Sequence, residues 1–231
     1  MLPGHTCAIL EPNTIPGINV ILALISPDST DADGNPPVFA PPALRVRGEG
    51  KNGTDLVIYQ TPSILCYLGD KLDLAGNDSA EKAWIQSHTL TALDLNNEAH
   101  DTHHPLSVAD YYEDQKDEAL KKAEDFRAKR LPKFFGFFER VLEGNKELGQ
   151  GKFLVGRKLS YADTTLWHVL HGLQFAFPKE MGARMKAYPT LFNTFYPSVR
   201  EQNGLKDYLT SGRRLPFSEG VFRHYPELDR Q

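Results

Sequence analysis

Residues 56 to 69 read LVIYQTPSILCYLG. The first four favour a strand, Gln60-Thr61-Pro62 ends it, and the apolar residues that follow recur at helical spacing. Thr61 is expected as the N-cap, its oxygen accepting from the free amides of the first turn. Pro62 is expected as the first helical residue, where a missing N–H costs nothing. A strand thus hands over directly to a helix whose amino end points out of the sheet. Orphan N–H groups and the positive end of the helix dipole make such a point attractive to a carboxylate or phosphate. A threonine that only caps its helix is the other reading of the same residues.

Upstream, PALRV (42 to 46) and DLVIY (55 to 59) are short strand-like runs. They flank GEGKNGT, whose glycines permit the positive φ of a hairpin connection. INVILALI (18 to 25) suits either a short buried helix or a strand, and SPDSTDADGNPP (26 to 37) is a loop of turn formers. The polar DKLDLAGNDSAEK interrupts the periodicity, which puts a domain boundary near residue 76 and gives domains of 1–76 and 77–231.

Beyond the boundary the pattern is helical. Residues 79 to 103 space Trp84, Ile85, Leu90, Leu93 and Leu95 at helical intervals, and both Trp84 and Trp167 are expected in the core. Residues 113 to 143 run from a charged, solvated start into LPKFFGFFERVL, where Phe134, Phe135, Phe137 and Phe138 cover too much circumference for a surface helix. In VGRKLSYADTTLW, Ser160 and Asp163 form a capping box that starts a helix bounded by Pro178; Thr164 offers little to the hydrophobic staple of Leu159. The tail from Arg213 is irregular.

Composition narrows the function classes. A chain of 231 residues with 40% hydrophobic and 24% charged residues has core enough to fold. A net charge of -4 gives no basic stripe for phosphate backbones, so no nucleic acid partner is expected. No apolar run reaches the roughly 18 residues of a membrane span, and no signal peptide opens the chain, so a cytoplasmic protein without membrane partners is expected. Cys7 and Cys66, far apart, make neither a disulfide framework nor a zinc knuckle.

In this order the pieces resemble the cytosolic glutathione transferase family. The resemblance lies in PPAL (41 to 44), YQTPSILCYLG (59 to 69), ALDLNNE (92 to 98), FLVGRKLSYADTTL (153 to 166) and YPTLFNTFYPSVREQNGLKDYL (188 to 209). HDTHHP (100 to 105), YYEDQK (111 to 116) and the RRLPF...FRHYPELD ending further resemble a fungal and bacterial subgroup. The implied fold is α+β, an incomplete thioredoxin-like N-terminal domain followed by an all-α domain. The implied activity is conjugation of the glutathione thiolate to a small hydrophobic electrophile, by a homodimer with glutathione as co-substrate and no other cofactor.

Residue by residue, the resemblance implies that Gln60 and Thr61 bind the γ-glutamyl carboxylate. Pro42 matches the cis-proline that turns the backbone of the preceding residue toward the cysteinyl unit. That residue is Pro41, which has no N–H, so only its carbonyl remains for the ligand. Asp94 matches an aspartate that in several classes reaches across the dimer toward the γ-glutamyl amine.

The start of the chain departs from the family. No residue corresponds to the Tyr, Ser or Cys that stabilises the thiolate, as in a truncated or alternatively spliced gene model, and the alternative function is a binding module impaired in catalysis. The missing first strand leaves an expected open edge on the hairpin, which TCAIL (6 to 10) fills in part, while residues 16 to 25 are expected to resume the family's second helix. Substitutes for the absent hydroxyl are Cys7, which lacks the Cys-Pro motif, and His104, ten residues after Asp94, whose other reading is a histidine satisfied within the helical domain. His100, Asp101, His103 and His104 invite a metal reading, since His100 and His104 share a helix face. No further carboxylate or thiolate stands at ligand spacing and Pro105 ends the helix, so no metal is expected.

Overall fold

The computed structural model describes residues 18–19 and 34–231, and the chain divides into two units, Met1–Lys71 and Leu72–Gln231. Cys7, TCAIL and most of the 26–37 loop lie outside the described residues.

The first unit holds a three-stranded antiparallel sheet in the order β1 (Ile18–Asn19), β2 (Ala43–Val46), β3 (Leu56–Tyr59). Ala43 pairs with Tyr59 and Val46 with Leu56. The connection turns through Gly48, Asn52 and Gly53 at φ of 69°, 58° and 79°, a region that glycine and asparagine enter most cheaply. The Asp55 carboxylate ties it off, accepting from Arg45 Nε at 2.6 Å and from the Gly48 amide at 3.1 Å. These donors hold the Asp55 carboxyl below its ordinary range, the Gly48 amide foremost.

Ile18 and Asn19 pair with Val46 and Arg45, so the edge expected to be open is covered there. These two residues are strand rather than the helix expected for residues 16 to 25, because a free row of ladder groups on β2 offers partners to an extended, β-branched segment. On the far edge of β3 a side chain serves the same purpose. Asn35 accepts from the Val57 amide at 2.9 Å and donates to the Asp55 carbonyl at 2.8 Å. Helix α1 (Thr61–Lys71) follows β3 directly.

In the second unit, α2 (Ser79–His100) is capped by Asp78, whose carboxylate accepts from the Ala80 and Glu81 amides, both at 2.9 Å. Its buried stripe is Ile85, Thr89, Ala92, Leu95 and Ala99, at helical intervals of four and three. Trp84 falls beside that stripe and is 57% exposed, which corrects its expected place in the core. Trp167 is buried as expected.

The expected long helix over 113 to 143 is two helices, α3 (Lys116–Asp125) and α4 (Leu131–Gly144), joined by a wide turn over Phe126–Arg130. There the Leu131 amide reaches back to the Phe126 carbonyl, one residue further than in an α-helix. The widening accommodates Pro132, whose ring lacks an N–H and crowds the preceding turn. Phe134, Phe135 and Phe138 are buried and Phe137 half-buried.

After α5 (Lys146–Gly149) comes α6 (Tyr161–Ala176), capped by Ser160 and packed against α2. Eleven of its sixteen residues are buried, among them Leu166, Leu170 and Leu173, so it is the centre of this unit. Then follow α7 (Pro178–Arg184), a second wide turn over Thr190–Phe195 ahead of Pro197, α8 (Tyr196–Arg200) and α9 (Asn203–Thr210). The tail is irregular yet anchored, with Phe222, Leu228 and Asp229 buried. Among the described residues no helix is long and apolar enough to cross a membrane.

Candidate functional site

The pairing of Ala43 with Tyr59 brings Pro42, which precedes β2, and Gln60, which follows β3, to the same end of the sheet. The peptide bond between Pro41 and Pro42 is cis. Gln60 adopts a φ of 67°, which turns the chain from strand to helix within one residue. Holding a side-chain-bearing residue there costs about 1–3 kcal/mol, and such residues gather at ligand clamps. The Gln60 carbonyl accepts from the Ile64 amide at 3.0 Å, so Gln60 caps α1 and Thr61 is its first residue. The cap thus falls one residue earlier than expected, because the left-handed turn at Gln60 already sets the helical direction.

Pro62 has no N–H, which leaves the Thr61 and Ser63 amides as the groups without an intrahelical acceptor. Pro41, Pro42, Gln60 and Thr61 are all exposed. Two amides, a hydroxyl and the positive end of an eleven-residue helix therefore face solvent beside a proline turn.

Asp94 is exposed on α2 and lines a groove of about 500 Å³ with Asn97, Glu98, Arg130, Phe137 and Arg140. Arg130 grips Glu98 with both prongs of its guanidinium, Nε to Oε2 at 2.7 Å and Nη2 to Oε1 at 2.5 Å. These cations come from α4 and its preceding turn, more than thirty residues from Asp94, and sequence spacing gave no signal of them.

His104 is buried in the second unit, stacked on His100 with ring centroids 4.9 Å apart and edge-on to His103 at 4.8 Å. Burial lowers the pKa of His103 to about 4, and lowers that of His104, with His100 and Arg223 acting in the same direction. Of the four residues of the expected cluster, the fold brings together the rings of His100, His103 and His104, because the chain continues past Asp101 in tight turns in which the His103 amide reaches the His100 carbonyl at 3.1 Å.

The Ser160–Asp163 box is formed. Asp163 accepts from the Ser160 amide and hydroxyl, each at 2.7 Å, and from the Leu154 amide at 2.8 Å. Burial pushes its carboxyl up to about 6 against those three donors.

Residues 100–212 match the family model described as the glutathione S-transferase C-terminal domain. The chain is 31% identical over 160 residues to Glutathione S-transferase P 1 of Xenopus laevis, covering 69% of this chain and 66% of that protein. It is 30% identical over 175 residues to Glutathione S-transferase A2 of Bos taurus, covering 72% of this chain and 70% of that protein. The solved Pi-class glutathione S-transferase of Onchocerca volvulus shares the fold at a TM-score of 0.52 and 23% identity, over 68% of this chain and 66% of that one. The chain spans just under two thirds of the frog relative's length. At 30% identity with more than two thirds of the bovine protein covered, the chain belongs to the glutathione S-transferase family.

Proposed function

We propose that Gln60 and Thr61 hold the γ-glutamyl carboxylate of glutathione at the amino end of α1, while the Pro41 carbonyl accepts from the cysteinyl N–H. The observation that carries this reading is the meeting of the cis Pro41-Pro42 turn and the Gln60 turn at one end of the sheet. The first binds peptide backbone and the second binds a carboxylate, at the spacing of one cross-strand pair. The reaction is conjugation of the glutathione thiolate to a hydrophobic electrophile, with glutathione as co-substrate and no further cofactor. It is carried out in the cytoplasm by a homodimer, in which Asp94 of a second copy meets the γ-glutamyl amine.

A second reading, binding without turnover, is favoured by Pro41. A proline there offers the cysteinyl unit a carbonyl but no N–H, so one of two main-chain bonds is lost and the sulfur is held less firmly. The two readings separate in one pair of measurements: retention on immobilised glutathione with elution by the free tripeptide, and conjugation of an aryl halide. Retention with turnover supports the first, retention without turnover the second, and a chain that glutathione neither retains nor elutes overturns both.

A further inference from the structure

Three imidazoles meet where α2 ends. One ring nitrogen from each of His100, His103 and His104 lies within 4.8 Å of the others. His103 and His104 are 2% and 9% exposed, and the Nδ1 atom of each is buried without a hydrogen-bond partner. Two unpartnered buried polar atoms within one cluster are costly, about 1–3 kcal/mol each, unless something supplies the missing interaction.

The hydrogen bonds around the cluster define which atoms are free. The Val221 carbonyl lies 2.9 Å from His103 Nε2. A carbonyl only accepts, so Nε2 carries the proton and the buried Nδ1 carries an unanswered lone pair. The Asp101 carboxylate stands 3.6 Å from His100 Nδ1, at the edge of the cluster. A carbonyl behind an imidazole is an arrangement that orients a histidine toward a metal. A proton shared among the rings would answer only one lone pair at a time; a cation answers all three.

We propose that His100, His103 and His104 bind a divalent transition-metal ion of the zinc class, with the fourth position open to water. Three neutral nitrogen donors suit zinc, nickel or copper and not calcium or magnesium, which require oxygen. Tetrahedral coordination at about 2.0–2.1 Å places ligand nitrogens about 3.3 Å apart, so the rings close by roughly 1.5 Å at most on binding. Ring rotation supplies this for His100, which is half-exposed. Arg223 is the opposing charge close to the cluster; its guanidinium is held by the Glu219 and Gly220 carbonyls, each at 3.1 Å. The site joins the end of α2 to the tail through Val221, so the ion pins the C-terminal segment.

The test uses the full chain, stripped with a chelator and titrated calorimetrically with zinc sulfate at neutral pH, with magnesium chloride as a control. One zinc per chain, no magnesium, and a melting temperature raised by several degrees are expected. Cobalt substitution should give the intense visible bands of a tetrahedral nitrogen site. His100→Ala, at a half-exposed position, should weaken zinc binding at least ~10-fold while retention on glutathione is unchanged. Absence of stoichiometric zinc binding, or zinc binding unaltered in both His100→Ala and His104→Asn with an octahedral cobalt spectrum, overturns the proposal. The cobalt spectrum of the unmodified chain decides the matter even where a variant fails to fold.

Discussion

Gly172 and Phe222 meet so closely that a Cβ on Gly172 would lie 2.2 Å from Cδ2 of the Phe222 ring. Phe222 is buried, and its ring takes the space a side chain on α6 would need. The absence of a side chain in the middle of a helix, which costs helix stability, is here what seats the tail.

Gly172→Ala should therefore destabilise the chain by about 1–3 kcal/mol despite the better helix propensity of alanine. Phe222→Ala should cost about 3–5 kcal/mol. In the double variant the losses should fall short of their sum, because the alanine methyl enters the space the ring vacates. Denaturant midpoints of the four proteins check this; full additivity would mean the two residues do not share that space.

Thr61→Ala should weaken glutathione binding by about 1.5–3 kcal/mol, roughly 10- to 100-fold, if its hydroxyl donates to the γ-glutamyl carboxylate. Thr61→Ser should keep most of the affinity. Stability should barely move in either, since Gln60 rather than Thr61 caps α1. Calorimetry with glutathione beside thermal melts separates the two effects, and an alanine variant of undiminished affinity refutes the assignment.

Asp163 makes stability depend on pH. Its folded pKa of about 6 lies above the ordinary unfolded value near 3.9, so the folded state binds more protons between the two. Its contribution is present in full below the unfolded value and is lost as pH rises through the folded one, with a slope of up to about 1.4 kcal/mol per pH unit. Relative to Asp163→Asn, the native chain should be most stable near pH 4 and lose part of that lead by pH 7, the interval those values define. Denaturation measured across the interval tests the sign: a lead that grows with pH contradicts it.

Asp229, buried near the chain end, accepts from the Lys179 amide at 2.8 Å and the Glu180 amide at 3.0 Å, and so caps α7 from the tail. Beside it, Glu180 pairs with Arg230 at 2.8 Å and with Arg184. Asp229→Ala should cost at least ~1–2 kcal/mol, the value of a lost cap, because a buried and a part-buried amide lose their acceptor. The effect should appear first as faster hydrogen exchange at Lys179 and Glu180. Unchanged exchange there would show that α7 does not need the tail.

What the sequence determined by itself was local. The hairpin, the strand-to-helix turn at Gln60 and the Ser160–Asp163 box depend on residues within a few positions of one another, and their chemistry is carried by side-chain type and short spacing. The wide turn before Pro132 interrupts what the sequence read as one helix over 113 to 143, since whether a proline ends a helix, widens it or leaves it unbroken depends on what packs around it. Trp84 was misplaced because an aromatic residue at helical spacing carries no sign of which face meets the core. Only the tertiary structure decided the rest: the Asp229 cap across about 50 residues, the Arg130 fork on Glu98 across 32, and Val221 behind His103 across 118. Such contacts join segments whose local preferences are indifferent to each other. They exist because burying Phe222 against α6 and Leu228 in the core brings polar groups of the tail to donors and acceptors that would otherwise be left unpaired.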